Sequence, residues 1–177
     1  MNNFAEIKPL FKYDKVAYYS LAIGGSSKTL FEEFKIKHQQ GKNKDKFHHI
    51  IRWLQRIGRR YGAQTRFFRN EAFSADTSAL PPTGKDRNPA YKVDGINTSN
   101  DLRLYCLRAN ENVVFLFGGD IKTTAKAQDC PNVQSHFFLA NALTYAIDKA
   151  FKDKEIKWIE DYTLIKVDDN YKLIFEL

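Results

Sequence analysis

The side chains able to do chemistry in this chain are mostly cationic, and they crowd into one stretch. From Lys42 to Arg69 there are nine lysines and arginines against Asp45 alone, an excess of eight, which exceeds the net charge of +7 on the whole chain. Guanidinium groups at short spacing bind phosphates or carboxylates bidentately, so the stretch points to a polyanion or an acidic peptide. Arg52, Arg56, Arg59 and Arg60 recur on one side of a helical pattern and can follow a phosphate backbone, and Arg66 and Arg69 come next on a short strand. A merely solvated helix is the competing reading of the same residues. Tyr18, Phe67 and Phe68 could offer rings to unstacked bases, or belong to the core.

A second set lies downstream. In LRLYCLR the two-residue period of a strand puts Arg103, Tyr105 and Leu107 on one face, and Leu102, Leu104, Cys106 and Arg108 on the other. Arg103 and Tyr105 can then face a common cleft, or solvent, while Arg108 stands near the strand end. After the apolar run VVFLF, the segment GGDIKTTAK turns on Gly118 and Gly119 and projects Lys122 and Lys126 from the sheet end. It lacks the glycine-to-Lys-Ser/Thr spacing of a P-loop, so ATP hydrolysis is not supported. His48 and His49 diverge by about 100° on a helix and cannot readily share a metal, so they read as polar surface. His38 has no partner at ligand spacing, and neither Cys106 nor Cys130 has a second thiol at such spacing. No metal and no cofactor are expected.

Several elements must hold these residues. Lys15 to Ile23 reads as the first strand, closed by Gly24-Gly25. Ser26 or Ser27 caps a first helix that runs to about Gln40, and GKNKDK is a loop. Ile50, Leu54, Ile57 and Tyr61 recur at helical spacing opposite the arginines and define a second helix, ended by Gly62. Thr65 to Phe73 reads as a short strand, and residues 74–100, with Pro81, Pro82, Gly84, Pro89 and Gly95, as a long loop or insertion. Leu102 to Arg108 and Val113 to Phe117 form a hairpin whose second strand, apolar on both faces, is central. Ser135 to Lys152 is a third helix, and Tyr162 to Val167 with Tyr171 to Glu176 a closing hairpin. The order predicts an α+β fold, an antiparallel sheet packed by two N-terminal helices and a later one, in a single domain over 1–177 with a core at about 15–150 and an added hairpin at 160–177.

At 177 residues and 43% hydrophobic content the chain can bury one core. It has no run of about 18 apolar residues, and its first residues lack the layout of a signal peptide, so a cytoplasmic protein without membrane contact is expected.

The segment LRLYCLRANENVVFLFGGDIKTTAK resembles the C-terminal core of the RelE/ParE/HigB toxin superfamily, in particular its HigB-like branch. Similar elements are Leu80-Pro81, the L-x-x-R strand, the buried strand, the glycines, the lysine-bearing turn, Pro131, and a helix carrying Ala140, Ala142 and Ala146. The family's lysine pair after the glycine is Lys122-Thr123 here, the loop before Asn100 is longer, and the last hairpin lies outside the pattern. The resemblance implies a RelE-like fold and a type II toxin that cleaves mRNA at the ribosome without metal, silenced by an antitoxin with a helix-turn-helix. Attack of a ribose 2′-OH on the adjacent phosphate needs a base, charge stabilisation and an acid. The resemblance implies Arg103 or Arg108 on the phosphate, Lys122 or Lys126 as base or charge stabiliser, Tyr105 stacking or sharing a proton, and His136, which begins the third helix, as acid. A protein of the same fold that only binds a topoisomerase, RNA or the ribosome is the alternative.

Overall fold

The computed structural model describes residues 3–71 and 76–177. Along the chain run β1 (Asn3–Lys12), β2 (Ala17–Ile23), α1 (Leu30–His38), α2 (Lys44–Arg56), β3 (Arg69–Asn70), β4 (Thr77–Leu80), β5 (Lys92–Val93), β6 (Ile96–Asn97), β7 (Leu104–Arg108), β8 (Val113–Leu116), α3 (Gln134–Lys152), β9 (Lys157–Ile159), β10 (Leu164–Lys166) and β11 (Leu173–Phe175). The fold is α+β. Seven strands form one sheet in the order β11-β1-β2-β8-β7-β4-β3, and β8, every residue of which is buried, lies at its centre.

The sheet is mixed, not antiparallel as expected: β2 and β8 run parallel, with Ala17 opposite Val113 and Tyr19 opposite Phe115. The helical excursion through α1 and α2 frees the next strand from the hairpin rule. Three antiparallel steps, β3 to β4 to β7 to β8, then deliver β8 in the direction of β2.

Helices cover both faces. Tyr18, Phe34, Ile50, Trp53, Leu54, Leu104 and Cys106 form the core under α1 and α2, whereas Tyr19, Leu21, Tyr105, Leu107, Phe115, Phe137 and Leu143 form the core under α3. The period-2 assignment of the Leu102–Arg108 strand therefore holds. Tyr18 Oη donates to the Leu54 carbonyl at 2.8 Å and ties β2 to α2 inside the core. Tyr18→Phe should cost about 1 kcal/mol in chemical denaturation, because it leaves that carbonyl without its side-chain donor while keeping the ring.

Five local expectations are corrected. The first strand is β1, which carries Ala5 and Ile7 into the core and absorbs Pro9 in a register shift between Pro9 and Phe11, so the sheet begins well before residue 15. Thr29, not Ser26 or Ser27, caps α1, its Oγ1 accepting from the Glu32 N–H at 3.2 Å. Part of GKNKDK is helical, since α2 begins at Lys44. In the expected 65–73 strand only Arg69–Asn70 pair, after a tight turn at Thr65–Phe67, and residues 72 and 73 lie outside the described residues. The expected loop from 74 (whose first two residues lie outside the described ones) contributes β4 to the sheet, with Ala79 and Leu80 fully buried, and a small hairpin β5-β6 turning on Asp94-Gly95 at φ 51° and 78°.

The closing hairpin is also different. β10 pairs with β9, whereas β11 crosses to the edge of the main sheet beside β1. Non-local pairing won because Leu173 and Phe175 bury themselves beside Ala5 under α3, a larger gain than an exposed two-stranded ribbon offers. Among the described residues, no helix is long and apolar enough to cross a membrane.

Candidate nucleic-acid interface

Helix α2 is built to present its arginines. Phe47, Ile50, Trp53 and Leu54 are buried, and the chain continues past Arg56 in one wide turn, Ile57–Tyr61, which Gly62 ends at φ 75°. Arg52, Arg59 and Arg60 are exposed and Arg56 half-buried, and together they border a shallow cleft of about 260 Å³ closed by Pro89. Among the described residues, the ion pairs involve none of Arg52, Arg56, Arg59, Arg60 or Arg66.

These guanidinium groups are nevertheless placed. Arg59 lies over the Tyr13 ring at 5.2 Å, Arg66 over Phe67 at 4.4 Å, and Arg87 over Phe67 at 5.4 Å and Trp53 at 5.9 Å. Arg87 also donates from Nη1 to the Arg66 carbonyl at 3.0 Å, and Arg66 from Nε to Gln64 Oε1 at 2.8 Å. Stacking on a ring fixes a guanidinium plane while leaving donor edges for phosphate. Tyr18 and Phe67 are buried and cannot themselves offer a face to a base, a correction to their expected stacking role; Phe68 is half-buried.

The segment behind the cleft is pinned by His49. Its Nδ1 accepts from Asn100 Nδ2 at 2.9 Å, and with the proton on Nε2 it donates to the Pro89 carbonyl at 2.9 Å. His49 is thus a buried strut, not surface; His48 is exposed. Burial holds the pKa of His49 below its ordinary value, with Arg52 adding to the effect.

Arg69 leads from this face to a second cluster. Its Nε donates to the Pro81 carbonyl at 2.6 Å, and burial together with the charge of Arg103 brings its pKa down to about 10. Glu71 stands between Lys122, whose Nζ is 3.0 Å from Oε2, and Arg103, whose Nε is 3.9 Å from Oε1. All three side chains are nearly buried, at 9, 12 and 11% exposure respectively. Arg103 Nη1 is held by the Asn100 carbonyl at 2.6 Å, while its Nε and the hydroxyl of Tyr105 are buried without a hydrogen-bond partner among the described residues.

The expected catalytic set is only partly assembled. Arg103, Tyr105 and Lys122 come together, but Tyr105 is fully buried and packs edge-on against Phe137, so it lies in the core and not in a cleft. Burial, then Glu71, push its hydroxyl pKa up, which keeps the proton on. Arg108 is five residues, about 17 Å, from Arg103 along the strand and donates to the Ala63 carbonyl. Lys126 is exposed in the turn before Ala127–Asp129.

His136 sits in the first turn of α3, so close to Gly118 that a Cβ there would lie 3.1 Å from its Nδ1. Nearby, Asp120 pairs with Lys37 and approaches His38 Nε2 to 3.9 Å, and His38 Nδ1 accepts from Asn43 Nδ2 at 3.2 Å. Burial lowers the pKa of His38 and of His136. With His49, three histidines therefore fold neutral. Below the unfolded value of about 6.5 the unfolded chain binds more protons than the folded one, so stability falls as pH drops through that value. Melting temperatures taken from about pH 7.5 to about pH 5 should decline, and His38→Gln should flatten the decline.

Three residues of these clusters escape sequence reasoning. Glu71 is the lone acid after Arg66 and Arg69, which was signal enough for an ion-pair partner. Arg87 lies in the stretch read as a loop, and Asp120 gains its importance only through α1. Cys106 and Cys130 are free and buried. Among the described residues, no three His, Cys, Asp or Glu side chains gather as a metal site would require. No protein-family profile, curated protein or solved structure matches this chain.

Proposed function

We propose that this protein binds single-stranded RNA across the arginine face of α2 and the adjoining Arg66-Arg87 pair. The observation that carries the reading is that, among the described residues, five neighbouring arginines have no carboxylate within ion-pair distance although acids and lysines elsewhere pair with one another. An unneutralised cationic face releases counterions on meeting a phosphate backbone. Guanidinium planes held over Phe67 and Tyr13 also suit stacking by unpaired bases.

A second reading is favoured by the cluster around Glu71: a RelE-like, type II toxin that cleaves mRNA at the ribosome and is held silent by an antitoxin with a helix-turn-helix. Arg103 and Lys122 meet a single carboxylate while Arg69 stands close enough to feel its charge, and a scissile phosphate taking its place would meet two cations directly and a third through space. In that reading Arg103 and Lys122 touch the phosphate.

Titration of labelled single-stranded RNA, together with electrophoresis of an mRNA incubated with the protein and translating ribosomes, separates the readings. Binding at about 1–100 µM in physiological salt with intact RNA supports the first. Cleavage that disappears in Arg103→Ala, Lys122→Ala while binding persists supports the second. No binding at low salt would contradict both.

A further inference from the structure

Among the described residues, the sheet ends in an uncovered edge. β11 pairs with β1 on one side only. Phe4 directs its carbonyl towards Gly24, whose N–H reaches it at 2.9 Å, so the polar groups of Phe4 face β2. Its cross-strand neighbour Ile174 therefore turns its own N–H and carbonyl away from β1, to the free edge. Beside that edge lies an apolar groove of about 920 Å³ between β11 and α3. Phe138, Tyr145, Ile174 and Leu177 there are 48, 70, 52 and 79% exposed, and the side-chain carbonyl of Asn141 is buried without a partner among the described residues.

The sequence of the edge is complementary to itself. Lys172, Leu173, Ile174, Phe175 and Glu176 read as cation, apolar, apolar, apolar, anion, so an antiparallel copy centred on Ile174 sets opposite charges face to face at both ends. Ile174 faces outward, so the centre of such a pairing is a hydrogen-bonded pair about a two-fold axis, and a strand continued at the same alternation past Leu173–Phe175 turns residues 172 and 176 outward with it. The structure assigns this edge to a second copy of the chain: β11 pairs with its symmetry mate about Ile174, Lys172 meets Glu176 of the partner subunit, and the exposed stripes of the two α3 helices close over the joined strands. The partner strand gives the edge the hydrogen bonds it lacks, and the groove its apolar cover.

Sedimentation of the full chain from about 1 to about 100 µM tests this, with circular dichroism confirming that each variant folds. Wild type should reach twice its 20.5 kDa mass. Glu176→Lys opposes like charges twice by symmetry and should weaken the dimer by about tenfold or more. Lys172→Glu, Glu176→Lys in one chain restores the complementarity and should restore the dimer. Ile174→Pro removes an N–H that serves only the outer edge and should leave a folded monomer. A wild type that stays monomeric at the highest concentration overturns the assignment and leaves the groove to a different chain. So does a dimer indifferent to both Glu176→Lys and Ile174→Pro, because it must use another surface.

Discussion

Glu71→Ala should destabilise the protein by about 3 kcal/mol and at the same time tighten its grip on phosphate. The carboxylate is the only anion within ion-pair distance of Lys122 and Arg103 among the described residues, and all three side chains are close to buried. Removing it leaves two cations in a site that has excluded most water, with Arg69 adding a third charge to the repulsion. Loss of one partner from such a group costs more than the pair itself contributes, because the stranded charges keep their desolvation penalty. Inorganic phosphate that fills the vacated place binds the folded state alone, so it should raise the melting temperature of the variant far more than that of the wild type. Calorimetry with and without phosphate checks both halves. A variant as stable as wild type, or one indifferent to phosphate, would show that the cluster is not an anion site held by Glu71.

The second large effect is on RNA affinity. Replacing Arg56, Arg59 and Arg60 together by alanine should weaken binding of single-stranded RNA on the order of 100-fold, at about 1 kcal/mol for each charge-assisted phosphate contact. The salt dependence should soften with it: the slope of log affinity against log salt should fall by about 2, since each lost contact to a single strand removes about 0.7. Stability should move by less than about 1 kcal/mol, because Arg59 and Arg60 are exposed, Arg56 is only half-buried, and the ring contact they make among the described residues is Arg59 over Tyr13. Equal losses of affinity and of stability would mean that the arginines hold the fold together and do not serve a ligand.

The parts of this fold that local pattern dictates were legible. The spacing of Ile50, Leu54 and Ile57 specifies α2 and, by exclusion, its arginine face. The turn between Arg108 and Val113 specifies the β7-β8 hairpin, and the doubly apolar VVFL its central place. What escaped depends on partners far along the chain. β1 reads weakly because Pro9 and four charged or polar residues interrupt its alternation, and only pairing with β2 and β11 reveals it. The four residues of β4, followed by two prolines, look like loop until β7 lies beside them. Tyr105 shows the same limit at the site: the two-residue period put it on the correct face, but nothing local to it says that α3 covers that face.

The most direct test of RNA recognition by the arginine face is a heteronuclear NMR titration of the full chain with short single-stranded RNA. The account predicts that the shifted amides trace α2 from Arg52 on, the Ile57–Tyr61 turn, Arg66 and the segment from Arg87 to Ala90, while α3 and β11 stay still. Shifts confined to α3 or the β11 edge, or none at any RNA concentration in low salt, would contradict it.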